Sequence, residues 1–297
     1  MEHSLSLLQA EIDQLKILAA QPLIQNLHAR GVLRYLSEAE FKVFSQFGDD
    51  GIIQYLIHRL RPLPDSFVEF GVQNYRESNT RFLLVNNNWR GLVMDGDAEF
   101  IRFIQKDDIY WRHTLTARCA FIDRDNVNNL FSDAGFTGEI GLLSIDIDGN
   151  DYWVWEKLEV VDPVIVIVEY NSTFGPDFAV TIPYDPKFVR HQAHYSGQFW
   201  GVSLQALTLL AGRKGYSLVG CNSAGNNAYF VRNNKLGDLP AFSAREAFVE
   251  ARFRDSRSRS GELTYLSGSQ RFDEISRLEV YDVERKIKVS LDSLKRK

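Results

Sequence analysis

The sequence GLLSIDIDGNDYWVW, residues 141–155, joins an apolar segment to a group of polar side chains. Its first part is apolar or β-branched and carries no charge before Asp146, which predicts a buried strand. Asp148, Asn150 and Asp151 follow directly after that strand. In α/β sheets the chemistry lies at the carboxyl ends of the strands. We therefore expect a functional site at this end of the predicted strand.

A second apolar segment, PVIVIV at residues 163–168, predicts the neighbouring strand and ends in Glu169, Tyr170 and Asn171. Neighbouring strands lie about 4.8 Å apart, so polar groups at adjacent ends can converge on one ligand. Asp and Asn are also common turn residues, and either end alone fits an ordinary exit from a strand. Polar groups at the ends of both predicted strands together favour a functional site.

The length and composition of the chain indicate a globular protein with one large domain and appendages. The chain has 297 residues, of which 44% are hydrophobic and 25% charged. Its net charge of −5 disfavours a nucleic-acid binder. Two cysteines form neither a disulfide framework nor a zinc spacing, so we expect a cytoplasmic location. We expect no membrane span, because no apolar run approaches the roughly 20 residues it needs.

The charge is unevenly distributed along the chain. Residues 245–297 hold 13 Lys and Arg against 10 Asp and Glu, a net of +3, while residues 1–244 hold 21 against 29, a net of −8. Four arginines alternate in RFRDSRSRSG: Arg252, Arg254, Arg257 and Arg259. This segment fits either a solvated surface or a clamp for an anionic substrate, since Arg pairs with phosphate or carboxylate.

Residues 4–20 carry one apolar stripe and predict a helix that ends before Pro22. Such a helix either packs on its own domain or contacts a second protomer and makes a homo-oligomer. Further along, SQFGDDG at residues 45–51 precedes a predicted helix at 52–60 that Asp49 or Asp50 would cap.

The rest of the chain alternates predicted strands and helices. Further strands are expected at residues 65–72, 89–97 and 113–122, with helices at 98–106, 126–131 and 203–214. Strands at 216–221 and 227–232 form a closing hairpin. The predicted fold is α/β: a Rossmann-like, seven-stranded, mostly parallel sheet with a closing antiparallel hairpin and helices on both faces. An N-terminal helix and a C-terminal helical tail flank it.

The first strand carries Glu69 inside it and ends at Gly71, where the chain turns towards a helix. A lone buried carboxylate is costly unless something uses it. The turn does not match the GxGxxG dinucleotide fingerprint. Asp95 at the end of the second strand has the spacing from Gly71 at which an acidic residue reaches a ribose.

Five segments together resemble the class I S-adenosylmethionine-dependent methyltransferases, whose seventh strand inserts antiparallel beside the fifth. More narrowly, SQFGDDG, FVEFGVQNYRESNT, GLVMDGD, LLSIDIDGNDYWVW and IVIVEYN look like the FkbM-type O-methyltransferases. The match covers roughly residues 41–233. It departs from the methyltransferases in one place: the first turn, GVQNYR, has fewer glycines, and its bulky residues would narrow the cofactor cleft.

The resemblance implies roles for particular residues. The cofactor-binding residues would be Glu69, Gly71, Asn74, Ser78, Asn79, Asp95, Phe121, Ile122 and Asp146. Glu69 and Gly71 would hold the methionine part, Asp95 the ribose, and Phe121 with Ile122 the adenine. Asp146 and Asp148 would lie beside the amino group and the methyl group, and both are candidate catalytic residues.

Methyl transfer to a hydroxyl needs a base, or a metal that lowers the hydroxyl's pKa. Asp148, Glu169 and Asn171 offer only oxygen ligands at the strand ends, which suit Mg²⁺. His191 and His194, in the long irregular segment that follows, are candidate bases because imidazole titrates near neutrality. Each histidine also fits a structural or surface role.

The predicted domains are an N-terminal helical appendage (1–40), a methyltransferase-like domain (41–238) and an Arg-rich extension (239–297). The leading prediction is an O-methyltransferase that uses S-adenosylmethionine on a carbohydrate hydroxyl, with an acceptor that carries negative charge. Two alternatives stay open. One is a catalytically silent module that binds a partner through its terminal extensions, and the other is an NAD-dependent nucleotide-sugar oxidoreductase.

Overall fold

The computed structural model describes residues 2–296, and the side chains of residues 8–294. The strands are β1 (Ser66–Phe70), β2 (Arg90–Asp95), β3 (Leu115–Cys119), β4 (Gly138–Ile145), β5 (Val161–Glu169), β6 (Val180–Thr181), β7 (Tyr216–Cys221), β8 (Asn227–Arg232), β9 (Glu279–Asp282) and β10 (Ile287–Ser290). The α-helices are α1 (Glu2–Ala29), α2 (Asp49–Arg59), α3 (Arg81–Asn87), α4 (Ala98–Lys106), α5 (Asp108–Arg112), α6 (Val127–Asp133), α7 (Asp151–Lys157), α8 (Arg190–Ala193), α9 (Leu204–Lys214), α10 (Ala244–Ala247) and α11 (Ser269–Ile275).

The main sheet has seven strands in the order β3-β2-β1-β4-β5-β8-β7. Strands β1 to β5 are parallel, and β8 inserts antiparallel between β5 and β7. This confirms the predicted sheet and its closing hairpin. Because the order reverses between β1 and β4, a crevice opens at the carboxyl ends of these two strands, where α/β sheets bind ligands.

Apolar residues of the central strands pack against helices on both faces of the sheet. One core contains side chains of α6, α7 and α9, and the other contains side chains of α2, α3 and α4. Residues 164–168 of β5 are all at most 1% exposed. A continuous apolar run of this kind is typical of a strand that is covered on both faces.

Helix α1 does not end before Pro22, so that boundary prediction is wrong: the helix continues to Ala29 with the proline inside it. Beyond the proline, Ile24 and Leu27 are buried at 7% and 5% exposure. Burial of such side chains contributes about 1.5–3 kcal/mol each, which offsets the roughly 3 kcal/mol cost of an internal proline.

Asp49 and Asp50 do not cap α2, because they lie inside its first turn and bind other segments. Asp50 accepts hydrogen bonds from the backbone N–H groups of residues 43, 44 and 45. Asp49 accepts from Asn222, Asn227 and the Tyr229 hydroxyl. The two carboxylates therefore fasten the segment before α2 and the closing hairpin to one helix.

The C-terminal extension is less helical than predicted, because it contributes two strands as well as α10 and α11. β9 pairs antiparallel with β10 and with β6, which lies in the long segment after β5. These strands have four residues or fewer, and the pairing of β6 with β9 joins residues as far apart as Val180 and Asp282. Local apolar periodicity cannot reveal strands of this length.

None of the described helices combines the length and the apolar composition that crossing a bilayer requires.

Candidate functional site

A cleft of about 490 Å³ opens at the carboxyl ends of β1, β2, β4 and β5. Most of the site residues predicted from sequence line it: Glu69, Gly71, Asn74, Ser78, Asn79, Asp95, Phe121, Ile122, Asp146, Asp148 and Glu169. Asn171, His191 and His194 do not line it. The prediction that polar strand ends would meet at one place therefore agrees with the geometry.

Gly71 brings the end of β1 against the end of β4. Its φ is +68°, and a Cβ at this position would lie 1.7 Å from the carbonyl oxygen of Asp146. Its N–H also donates to the carbonyl of Met94 on β2. A side chain here would separate the two strand ends, so glycine is required by the packing of the crevice floor.

Glu69 is buried at 5% exposure and binds the loop that leads into α3. Oε1 accepts the N–H of Asn79 at 2.9 Å, and Oε2 accepts the N–H of Thr80 at 3.0 Å and its hydroxyl. Burial raises the pKa of Glu69, and these hydrogen bonds oppose that rise. Glu69 thus positions the cleft wall, with part of its side chain facing the cleft.

The glycine-poor first turn leaves the cleft open. Val72 and Tyr75 are 2% and 0% exposed and pack in the core below the sheet, so their bulk lies away from the cavity. Gln73 and Tyr75 have φ values of 47° and 60°. Backbone strain of this kind is common at ligand-binding loops. Val72 and Tyr75 therefore do not fill the cleft, whereas Gln73 and Asn74 of the same turn line it.

Asp95 lies at the end of β2 with its carboxylate partly exposed to the cleft. Oδ2 accepts the N–H of Gln73 at 2.7 Å, and Oδ1 accepts the N–H of Asp97 at 2.9 Å. Each oxygen keeps a second lone pair for a ligand hydroxyl. The neighbouring Asp97 instead caps α4 by accepting the N–H of Glu99.

An apolar end of the cleft lies beside β2 and the segment after β3. Phe121 is 53% exposed, while Ile122 and Met94 are buried at 6% and 0%. Phe100 completes this part of the lining. A flat, largely apolar ring would cover the exposed phenyl face, so this end suits a heteroaromatic base.

Asp146, which directly follows β4, and Glu169, the last residue of β5, are neighbouring carboxyl groups that both line the cleft. Burial, and then the charges of nearby carboxylates, Asp148 among them, raise the pKa of both groups well above the usual carboxyl range. Two neighbouring carboxyl groups repel each other when both are ionised. The pair therefore keeps a proton at pH values where isolated carboxyl groups have already lost theirs.

Asp151 and Asp148 shape the turn between β4 and α7. Asp151 accepts the N–H groups of Ile147 and Gly149, both at 2.9 Å, and burial raises its pKa to about 6. Asp148 has a φ of 54° and points its carboxylate at Arg190, with an Nη1–Oδ1 distance of 2.8 Å. Asp148 is thus paired with a cation, whereas no cation among the described side chains forms an ion pair with Asp146 or Glu169.

Arg190 on α8 is a site residue that the sequence reasoning missed. Besides Asp148, it binds Asp255 of the C-terminal extension at 2.9 Å and donates from Nε to the carbonyl of Gly197. Its guanidinium also lies 4.5 Å from the ring centre of Trp200. Its position next to His191 was the available signal, because that histidine had been named as a candidate base.

The two histidines lie outside the cleft. His191 is exposed, next to Arg190 on α8. His194 Nδ1 lies 2.8 Å from the Ser196 hydroxyl, and burial lowers its pKa. The structure does not bring either imidazole to the Asp146–Glu169 pair, so their predicted role as base has no support from this geometry.

Asn171 is fully buried and its side chain is hydrogen-bonded to the backbone. Its amide nitrogen donates to the carbonyls of Gln198 and Trp200, both at 3.0 Å, and its oxygen accepts the N–H of Thr173. It therefore does not join Asp148 and Glu169 as a ligand. Among the described residues, no three His, Cys, Asp or Glu side chains are arranged to hold a metal ion. The predicted Mg²⁺ site thus gains no support.

A second cavity of about 240 Å³ adjoins the cleft. The two share the residues Gln46, Glu169, Arg190 and Asn226. The second cavity is otherwise lined by residues that follow β5 and by the C-terminal extension: Tyr170, Ser172, Trp200, Gly225, Ala251, Phe253, Asp255 and Arg271. Glu169 thus lies at the junction, where a group in one cavity could react with a group in the other.

The four alternating arginines of the extension are exposed and line neither cavity. Arg257 donates to the carbonyl of Gly261, and Arg259 lies 4.5 Å from the ring centre of Tyr195. The structure therefore places these arginines at the surface, and Arg271 is the arginine of the extension that reaches a cavity.

No protein-family model matches this chain, and no curated protein matches it. Solved structures with a similar course of the chain include the N-terminal domain of EvdMO1 in the presence of SAH and D-fucose, at 11% identity and a TM-score of 0.41, which covers 72% of this chain and 94% of that one. The O-methyltransferase from Bacillus cereus in complex with SAH has 13% identity and a TM-score of 0.38, covering 74% and 87%. At these identities and TM-scores, the similarity supports no statement about substrates or residue roles.

Proposed function

We propose that this protein is an S-adenosylmethionine-dependent O-methyltransferase that acts on a sugar hydroxyl. The observation that carries the proposal is the position of Glu169, which lies beside Asp146 at the junction of two cavities. The cleft has a polar part for the amino acid and ribose of this cofactor and an apolar part for its adenine. The second cavity has aromatic and hydrogen-bonding walls beside Glu169.

The residues of the cleft fit the cofactor. Asp95 offers two carboxylate oxygens to a ribose, and Phe121 with Ile122 offers an apolar surface to adenine. Asp146 would face the positively charged end of the ligand. A volume of about 490 Å³ lies within the range typical of small-molecule sites. S-adenosylmethionine, when bound, would supply a methyl group on a positively charged sulfur.

Glu169 is the best-placed general base in the site. Its raised pKa brings proton uptake towards the operating pH, which is the condition for efficient general base catalysis. Glu169 would accept the proton of the acceptor hydroxyl as that oxygen takes the methyl group. Asp146 would hold the Glu169 carboxyl in place, and the Asp148–Arg190 ion pair would keep the turn after β4 fixed.

The second cavity supports a sugar acceptor. Tyr170, Trp200 and Phe253 give it aromatic walls, and Gln46 with Asn226 adds amide groups where it joins the cleft. Aromatic faces combined with a few directed polar groups bind amphipathic rings and fix their orientation. A hydroxyl of such a ring would reach Glu169 from the side opposite the cofactor.

Self-association through α1 remains a proposal alongside this function. Its exposed side chains include Leu8, Leu15 and Leu18, at 58%, 63% and 67% exposure. A row of exposed leucines on one helix fits contact with a second apolar helix. Light scattering of the full chain and of a variant with Leu15→Glu and Leu18→Glu would test it, since a lower mass for the variant is expected.

Asp95→Ala is expected to weaken S-adenosylhomocysteine binding by about 1.5–3 kcal/mol, because hydrogen bonds to charged groups have this strength. Isothermal titration calorimetry measures the effect, and thermal unfolding shows whether the loop around Gln73 stays ordered. Asp97→Asn is the matched control, because it removes a nearby charge and keeps the helix cap. Equal affinities for the Asp95 variant and the unmodified protein would remove the ribose assignment.

The preference for S-adenosylmethionine over S-adenosylhomocysteine should increase with pH. The pKa values of Asp146 and Glu169 are raised, so the pair holds its proton in the range where ordinary carboxyl groups are ionised. As the pair loses that proton, it gains negative charge and attracts the sulfonium, which the product lacks. As the pH rises through the raised pKa values of the pair, the ratio of affinities should rise about tenfold, the effect of roughly 1.4 kcal/mol. A ratio independent of pH, or one that falls, would contradict the assignment.

A further inference from the structure

Arg271 is a buried arginine without a salt bridge. It is 3% exposed, on α11 in the C-terminal extension. The other two arginines buried to a similar degree have carboxylate partners: Arg81 lies 3.8 Å from Asp13, and Arg232 contacts Glu139 and Asp162. Arg271 makes no ion pair with any described residue. The charges of Asp255 and Glu250 act on it only from beyond ion-pair distance.

Burying an unpaired guanidinium costs several kcal/mol, because the charge loses its water without gaining a partner. The same loss of water lowers the pKa of Arg271. The protein provides hydrogen-bond partners for only part of this guanidinium group. Nε donates to Gln198 Oε1 at 2.6 Å and Nη1 donates to the carbonyl of Ala251 at 3.3 Å. Nη2 has no partner among the described residues, and it is not sealed from solvent.

The surroundings leave this positive charge uncompensated inside the second cavity. Asp255, the nearest carboxylate in the lining, is bound by Arg190 at 2.9 Å and by the amide of Gln198 at 3.0 Å. Glu169 lies beside Asp146, and burial raises the pKa of both groups, which disfavours their charged forms. The cavity therefore combines aromatic walls with a cation that has a free donor.

We propose that the second cavity binds an acidic group of the acceptor, a carboxylate or a phosphate on the sugar, and that Arg271 is the residue that recognises it. This inference rests on the proposed function, because it concerns the acceptor of the same reaction. Arginine suits the task, since its planar donors match carboxylate and phosphate oxygens. An acceptor anchored at Arg271 would be held by one end while its hydroxyl lies at the Glu169 junction.

Saturation-transfer NMR on the full chain, with S-adenosylhomocysteine bound, tests the proposal with three probes: D-glucuronate, glucose 6-phosphate and D-glucose. At least one anionic sugar should bind about tenfold or more tightly than glucose, as expected for a charge-assisted pair. The stronger of the two anionic probes identifies carboxylate or phosphate as the preferred group. Arg271→Met should abolish the preference, while affinity for S-adenosylhomocysteine should stay unchanged. Arg254→Met, the exposed control, should behave as the unmodified protein.

The midpoint temperature of thermal unfolding, measured on the unmodified protein, gives a second readout. It tests the inference even if the Arg271→Met variant does not fold. An anionic sugar should raise this midpoint and glucose should not, because the anion compensates a buried charge. If S-adenosylhomocysteine binds but neither anionic sugar is preferred, the inference is overturned and the proposed function stands. If the Arg254 variant loses the preference for anionic sugars to the same extent, the inference is overturned as well. Failure to bind S-adenosylhomocysteine at all would overturn the proposed function together with this inference.

Discussion

Replacing Glu169 with Gln is expected to lower kcat by about 10²–10⁴-fold, the usual contribution of a general base. The amide has nearly the same shape, and it can still donate a hydrogen bond to Asp146, so the site should keep its structure. Affinity for S-adenosylhomocysteine should therefore stay within about threefold. Radiolabelled methyl transfer to the acceptor, measured beside calorimetry, separates these two quantities.

Glu77→Gln is the matched control for this variant. Glu77 is an exposed carboxylate that also lines the cleft and pairs with Lys42, so the substitution removes the same charge at the opposite rim. Its kcat should be unchanged. The unmodified enzyme should gain activity as pH rises through the pKa of the acidic pair, and the Glu169 variant should lose that dependence. Retention of kcat within threefold in the Glu169 variant would show that another group takes the proton.

Gly71→Ala should destabilise the protein by about 3–5 kcal/mol, among the larger effects of single substitutions. The new methyl group would lie 1.7 Å from the Asp146 carbonyl oxygen, in a backbone conformation with φ of +68°. Relief of that overlap requires β1 and β4 to separate at their carboxyl ends. The cofactor cleft should be lost with it, so S-adenosylhomocysteine should not stabilise the variant. Urea unfolding with and without S-adenosylhomocysteine measures both effects.

Gly138→Ala isolates the steric part of this prediction. Gly138 also has a positive φ, of +72°, but a Cβ there would meet nothing within 4 Å. We expect a loss of only about 1–2 kcal/mol, the cost of the left-handed conformation alone. Similar losses of stability in the two variants would mean that the close approach of β1 to β4 does not add to the cost of the Gly71 substitution.

The central sheet could be predicted from sequence because each strand has its own local signal. The hairpin strands Tyr216–Cys221 and Asn227–Arg232 were placed at their observed bounds. The acidic strand ends could be placed in one crevice because parallel strands end on the same edge. Asp146 and Glu169 were thus brought together from sequence, although the raised pKa values of the two groups were not foreseen.

The remaining features depend on contacts between distant parts of the chain. Pro22 was taken as a helix end, since the burial of Ile24 and Leu27 against the domain cannot be derived locally. Asp49 and Asp50 were taken as caps, because their partners are set by tertiary packing. The histidines were named as bases because of their chemistry and Arg190 was not considered, yet the direction of each side chain in this segment depends on how the segment packs. Arg271 had no sequence signal, since only its burial beside a cavity makes it unusual.

Calorimetric titration of the purified full chain with S-adenosylhomocysteine, and separately with NAD, tests the central claim most directly. The account predicts one binding site for S-adenosylhomocysteine, with affinity that falls in Asp95→Ala and persists in Asp97→Asn, and no heat of binding with NAD. A chain that binds NAD and not S-adenosylhomocysteine would contradict the account and favour the oxidoreductase. A chain that binds neither would contradict it as well and favour a catalytically silent module.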